Sequence, residues 1–234
     1  MQGLYNRNGV IATALSKGWL LGSRTVITAT GASTYTTPTG CQCIIVEVIG
    51  GGGGGRTAPN STAGQINAGG GGASGTYAMS IPIATSDAKT FTVNVGTGGS
   101  ANGVGAGTTF TFSTFVVVSG NAGSAGGGPS GSAATEAFVL PNTGVNASAS
   151  SGWFPVPGNP SIPAHRVSGT VGINGRGAQG PHGGQPVGHK AQVATAAAGG
   201  NYGAGGSGGI SVNAGGASTG GAGGQGICIV WEFY

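Results

Sequence analysis

The sequence predicts an all-β, irregular fold in which short antiparallel strands clasp a body of packed glycine helices. Three observations lead there. Cys43 to Arg56, CIIVEVIGGGGGGR, runs an alternating apolar strand into six consecutive glycines. Gly220 to Tyr234, GGAGGQGICIVWEFY, reverses that order at the far end, glycines first and then a strand rich in aromatics. Glycine also returns at every third position, as in Gly120, Gly123 and Gly126, in Gly177, Gly180 and Gly183, in Gly200 to Gly209 and in Gly220, Gly223 and Gly226.

In the first strand Ile44, Val46 and Val48 face one way and Ile45, Glu47 and Ile49 the other, the period of two that a strand imposes. Ile227, Ile229, Trp231 and Phe233 repeat it. Pairing the two strands hides apolar surface that a flexible linker would leave in water, so Gly31 to Tyr234 is read as one folded unit. Residues 1–30 have a different texture, with Leu4, Val10, Leu15, Trp19 and Leu21 among polar residues. They are read as an attachment or oligomer-contact segment, with packing of Trp19 to Leu21 on the main domain as the alternative.

Taken in order, Tyr35 to Gly40 (YTTPTG) reads as a turn feeding the Cys43 strand, since proline presets its φ and glycine accepts a positive one. Tyr77, Met79, Ile81 and Ile83 alternate in a further strand, which Pro82 places at an edge. Phe91, Val93 and Val95 alternate after the polar turn at 86–89, which suggests a hairpin with the preceding strand. Thr108 to Val118 adds a run carrying Phe110, Phe112 and Phe115. A left-handed helix with three residues per turn puts every third residue on one edge, and glycine there lets neighbouring backbones touch. Such helices have no internal hydrogen bonds, so their N–H and C=O groups must pair between helices.

Composition narrows the function. Of 234 residues 55 are glycine and only 5% are charged. Fixing each glycine is entropically costly, so dense backbone packing or oligomerisation must add to a modest apolar core. The net charge of +4 reflects few acids rather than clustered bases. Arg7, Arg24, Arg56, Arg166 and Arg176 are scattered, which argues against a nucleic-acid partner. Cys41, Cys43 and Cys228 lack the spacing of a disulfide framework or zinc site and read as buried thiols, although Cys43 and Cys228 could face each other across the clasp. MQGLYNRNG contains no apolar stretch of signal-peptide type, and nowhere do eighteen apolar residues run together.

Chemistry-bearing motifs are thin. GxGxxG at Gly203, Gly205 and Gly208 is expected by chance in so glycine-rich a chain, and the phosphate-loop lysine position is held by Arg56. His165, His182 and His189 have no metal-binding spacing. With only Glu47, Asp87, Glu136 and Glu232 as acids, carboxylate pairs and Ser-His-Asp arrangements have little raw material, so the chain is read as a non-enzyme without metal or cofactor. Thr135 to Val171 stands out between glycine tracts. Its proline-stiffened aromatics suggest a presented loop, with Trp153, Phe154, Pro155, Asn159, His165 and Arg166 as candidate receptor contacts. The alternative is that Trp153 and Phe154 plug a small core.

The YTTPTG turn, CIIVEVIGGGGGG, GGGGASGTYAMS, FTVNVGTGG, the glycine tracts and GGQGICIVWEFY, in this order over Tyr35 to Tyr234, resemble the glycine-rich tail-fibre and receptor-binding domains of bacteriophages. In similar adhesins polyglycine II helices stack as a sandwich and intervening loops touch the host. The resemblance implies a virion protein made in the host cytoplasm. Strong strand content and a short N-terminal part depart from those tip adhesins and leave a monomeric tip and a trimeric fibre end open; a homotrimer is expected, with a bacterial surface receptor, an outer-membrane protein or polysaccharide, and other tail or fibre proteins as partners. The rival classes are an ice-binding or other glycine-rich structural protein, and a spike enzyme acting on polysaccharide. Flat threonine ridges or paired cysteines would favour ice and acidic pairs hydrolysis; the sequence alone displays neither.

Overall fold

The computed structural model describes residues 18, 20–85, 88–128, 130–131, 138–139, 154–166, 168, 170–182 and 196–234. Cys43–Ile49 and Ile227–Phe233 pair antiparallel along their whole length, from Cys43 opposite Phe233 to Ile49 opposite Ile227. These form the centre of a six-stranded sheet, here called the clasp sheet. Its order is Leu21–Ile27, Ile227–Phe233, Cys43–Ile49, Tyr77–Met79, Phe154–Val156, and Ile83–Ala84 also pairs with Cys43–Ile49. A second sheet of four antiparallel strands runs Gly31–Thr36, Thr90–Val95, Thr108–Phe112, Phe115–Gly120.

Alternation assigns the two faces of the clasp sheet as the sequence does. Ile44, Val46, Val48, Cys228 and Val230 meet Tyr35, Phe91, Val93, Val95, Phe110 and Val118 of the second sheet in one buried cluster. Two sheets closing over interdigitated inner faces make a sandwich core. Phe91 and Phe110 stack there with centroids 4.7 Å apart. On the opposite face Cys43, Ile45, Ile49, Tyr77, Met79, Ile227 and Phe233 form a second cluster. Cys43–Ile49 is buried at every position because it has core on both sides.

Three expectations are revised. Phe91, Val93 and Val95 belong to the second sheet, between Gly31–Thr36 and Thr108–Phe112, and not to a hairpin with the Tyr77 strand; the inward ring of Phe91 needs Tyr35 and Phe110. The Tyr77 to Ile83 run breaks into Tyr77–Met79 and Ile83–Ala84 around Pro82. Only the second piece is an edge, because Phe154–Val156 pairs beyond the first. The folded unit also begins before Gly31. Leu21–Ile27 pairs with Ile227–Phe233, drawn in by backbone bonding and by Ser23 and Thr25, whose hydroxyls donate to buried Glu232.

A disulfide between Cys43 and Cys228 is excluded. The two residues lie on opposite faces of the clasp sheet, and all three cysteines are buried and unbridged.

Between and beside the sheets the glycine tracts pack as rods, and the period of three is visible in their hydrogen bonds. In 50–56 the N–H groups of Gly50, Gly53 and Arg56 donate to Thr76, Ala73 and Gly70, those of Gly51 and Gly54 to Ala106 and Gly103, and those of Gly52 and Gly55 to Gly224 and Gly221. The carbonyls accept in the same rhythm. Gly52 and Gly55 receive Gly99 and Asn102, Gly51 and Gly54 receive Gly123 and Gly126, and Gly53 and Arg56 receive Gly206 and Gly209. Rod 50–56 is therefore ringed by six stretches of chain, as a helix of three residues per turn permits. Rod 69–76 repeats the scheme, with Gly69, Gly72 and Gly75 donating to Gly209, Gly206 and Gly203.

Glycine is required here by close approach. A Cβ on Gly52, Gly53 or Gly54 would overlap the carbonyls of Ala204, Ser124 or Ser100.

Candidate functional site

The segment 154–166 holds most of the candidate receptor contacts. Phe154–Val156 forms the outer strand of the clasp sheet, with Phe154, Pro155 and Val156 opposite Met79, Ala78 and Tyr77. Proline is tolerated because an edge strand has ladder positions that need no donor. Phe154 and Val156 are half-buried against the second core cluster, and Pro155 between them is exposed.

The chain then crosses the rods. The Asn159 N–H donates to Ser74 Oγ at 2.7 Å, its carbonyl accepts from the Ser74 N–H at 3.1 Å, and its side-chain amide donates to the Gln179 carbonyl at 2.8 Å. Ile162 N–H adds a bond to the Arg176 carbonyl at 3.0 Å. Ala164–Arg166 ends the segment in a separate three-stranded sheet, where His165 lies opposite Phe138 and Ile173, and Arg166 opposite Gly172. Pro155, Pro157, Asn159, Pro160 and Ile162 are exposed, which makes this stretch a tethered ridge.

The structure thus places Phe154 and Pro155 on one sheet, Asn159 on the rods, and His165 and Arg166 on another sheet. They lie along one segment on three different parts of the fold. Phe154 takes the role of a partial core plug rather than a fully presented anchor, because it sits opposite Met79 and packs against the second buried cluster. Trp153 lies outside the described residues.

Beside Phe154 the clasp sheet carries a polar cluster. Trp231 Nε1–H donates to Glu47 Oε1 at 2.8 Å, and His182 Nε2 lies 3.8 Å from Glu47 Oε2. Tyr77 meets the His182 ring edge-on at 6.0 Å, and the Arg24 guanidinium lies 5.5 Å from the Trp231 ring centroid. Glu47 is buried while His182 is about one-third exposed, its side chain at 37%. The two described acids, Glu47 and Glu232, occupy opposite faces of the sheet. Their geometry does not assemble the carboxylate pair of a glycosidase.

Glu232 is the second buried polar centre. Its carboxylate accepts from Ser23, from Thr25 at 2.9 Å, from Tyr35 at 2.8 Å and from Tyr234 at 3.4 Å. Burial alone would raise its pKa, but the hydroxyls of Ser23, Tyr35, Thr25 and Tyr234 outweigh it and hold the group below its ordinary value. Tyr35 is pushed well up, by burial first and then by that carboxylate.

One surface escaped the sequence reading. The outer face of the second sheet places Thr34 opposite Thr92, Thr36 opposite Thr90, Thr92 opposite Thr111, and Asn94 opposite Thr109. All are exposed or half-exposed. The signal was the recurrence of T-x-T at 34–36, 90–92 and 109–111; a threonine ridge is present after all.

The fold and these surfaces define an all-β domain, closed by its clasp strands around packed glycine rods. The chain belongs to the glycine-rich domain family, whose model matches residues 27–231. Comparison with curated proteins gives no match.

Proposed function

We propose that the protein is a bacteriophage virion component, a tail-fibre or receptor-binding protein that recognises the bacterial surface through loops presented on a polyglycine II scaffold. The observation that carries this reading is the 154–166 ridge. Its backbone is tied to the rods at Asn159 and Ile162 while Pro155, Pro157, Asn159, Pro160 and Ile162 face outward. A proline-stiffened loop bolted to a rigid body loses little freedom on binding, so modest contacts suffice. With 5% charged residues in the chain, recognition rests on shape, hydrogen bonding and apolar contact rather than on long-range steering.

In this reading the protein binds and does not catalyse, needs no metal or cofactor, assembles as a homotrimer and joins other tail or fibre proteins. Its receptor is an outer-membrane protein or surface polysaccharide, met by Phe154, Pro155, Asn159, His165 and Arg166 together with Trp153. The test is competition. Purified protein is expected to bind host cells saturably and to slow phage adsorption. The double variant Pro157→Asp with Ile162→Asp, both exposed, is expected to lose at least tenfold of that binding with its melting temperature kept. Folded wild-type protein that neither binds cells nor competes would overturn the proposal.

A further inference from the structure

We propose that the threonine face of the second sheet adsorbs to ice. The inference does not depend on the receptor reading, because this face lies on a different sheet from the 154–166 ridge.

Six threonines stand on it: Thr34, Thr36, Thr90, Thr92, Thr109 and Thr111. Strands lie ~4.8 Å apart and same-face residues repeat every ~6.8 Å along a strand. Hydroxyls and methyls therefore recur in two dimensions, a property that a crystal surface can match and a single small ligand cannot. Threonine is stiff at χ1, so each group keeps its place in the grid. Behind the face the buried rings of Phe91 and Phe110 and the side chain of Val93 fix the strands.

The hydroxyls are also available. Thr36 and Thr90 bond each other at 3.1 Å. Among the described residues, the hydroxyls of Thr34, Thr92, Thr109 and Thr111 are not spent on a partner within the chain. Among the described residues no charged side chain interrupts the grid. Lys89, at its rim, donates to the Ala84 carbonyl at 2.9 Å and lies 6.0 Å from the Phe112 ring centroid. A neutral lattice of hydrogen-bonding groups is the electrostatic complement of such a face.

Other occupants fit less well. A sugar pocket is concave, with a few convergent polar groups; this face is open and repeats one side chain. A second copy of the chain would bring an interface core enriched in aromatics, Met or Arg; the grid holds none. A sheet twist of roughly 20–25° between neighbouring strands turns the outer two of the three strands about 40–50° apart, so one ice plane meets a pair of strands at a time. The expected activity is thus inhibition of ice recrystallisation, with a small gap between freezing and melting points.

The experiment uses the full chain, fluorescently labelled, beside a slowly growing ice hemisphere, with recrystallisation followed in a frozen film. Wild-type protein is expected to enter the ice and to slow grain growth. Thr34→Lys with Thr92→Lys and Thr111→Lys is expected to lower incorporation at least tenfold, and Thr92→Tyr alone severalfold should the triple variant fail to fold. Val104→Lys, exposed on a glycine stretch, is expected to behave as wild type. Exclusion of folded wild-type protein from ice overturns the proposal, as does full incorporation of the folded variants. Exclusion from ice combined with retention on a dextran column would assign the face to neutral polysaccharide. A concentration-dependent dimer abolished by Thr92→Lys, again with exclusion from ice, would assign it to a second copy.

Discussion

Gly53 shows what the rods demand of a single position. Its N–H donates to Ala73, its carbonyl accepts from Gly206, and a Cβ would overlap the Ser124 carbonyl. Backbone cannot move aside as a flexible side chain can, so Gly53→Ala is expected to cost about 3 kcal/mol, the upper end of overpacking penalties. A Cβ on Gly128 meets nothing within 4 Å among the described residues, so Gly128→Ala is expected to leave the melting temperature unchanged within a degree or so. Equal effects of the two changes in a thermal melt would contradict the packing. Glu232 supplies a different test. Its native pKa lies below the ordinary value of 4.5, so its contribution to stability is complete above that value and is lost as pH falls through the lower native one. Melting temperature is expected to drop on acidification below about pH 4.5, and less steeply in Glu232→Gln.

At the scale of the element, Cys43–Ile49 bears on both cores at once. Ile44→Ala and Ile45→Ala remove side chains from opposite faces, and each is expected to cost about 2–5 kcal/mol in denaturant melts. Their effects should add nearly independently, since the sheet itself separates the cavities. This strand was legible in the sequence down to which residue faces which way, because a period of two is local and survives without knowledge of partners. Of the rods, the period of three picked out tracts that surround rod 50–56, such as Gly123 and Gly126 or Gly206 and Gly209, whereas the unbroken glycines of 50–55 and 69–72 carry no period and did not mark themselves as rods. Partner choice was not legible. Thr90–Val95 has the same alternation whether it pairs with the Tyr77 strand or with Gly31–Thr36, and only Phe110 and Tyr35 decide it. Leu21–Ile27, LGSRTVI, lacks a clean alternation, so the segment before Gly31 gave no strand signal. The threonine face needed registers between three strands, which no single stretch records. Within the candidate site the proline stiffening was legible, whereas the seat of Phe154 on Met79 was a matter of sheet order.

For the whole molecule, cohesion comes from backbone bonds between distant tracts as much as from side chains. Each such bond contributes about 1 kcal/mol net, and the rods form them where apolar burial is sparse. Covalent cross-links have no part in it. Cys41, Cys43 and Cys228 are buried and unbridged, and burial pushes the Cys228 thiol far up. Reductant is therefore expected to leave the melting temperature unchanged, and thiol-alkylating reagents to react only on unfolding, which mass spectrometry would record.

The ring of six stretches around rod 50–56 also constrains how the chain can be made. Gly52 bonds to Gly224 and Gly53 receives Gly206, so the rod cannot reach its native state while those residues are still inside a ribosome. Until then Gly50 to Gly55 must wait as a hydrated, unstructured tether, and Cys43–Ile49 must wait without the strand that covers one of its edges. Contacts so distant in sequence make folding late and slow, and an exposed apolar strand during that interval invites capture by a chaperone or by another nascent chain. Stalling translation before residue 220 is expected to yield a protease-sensitive chain, and release of the remainder to confer resistance in a single step.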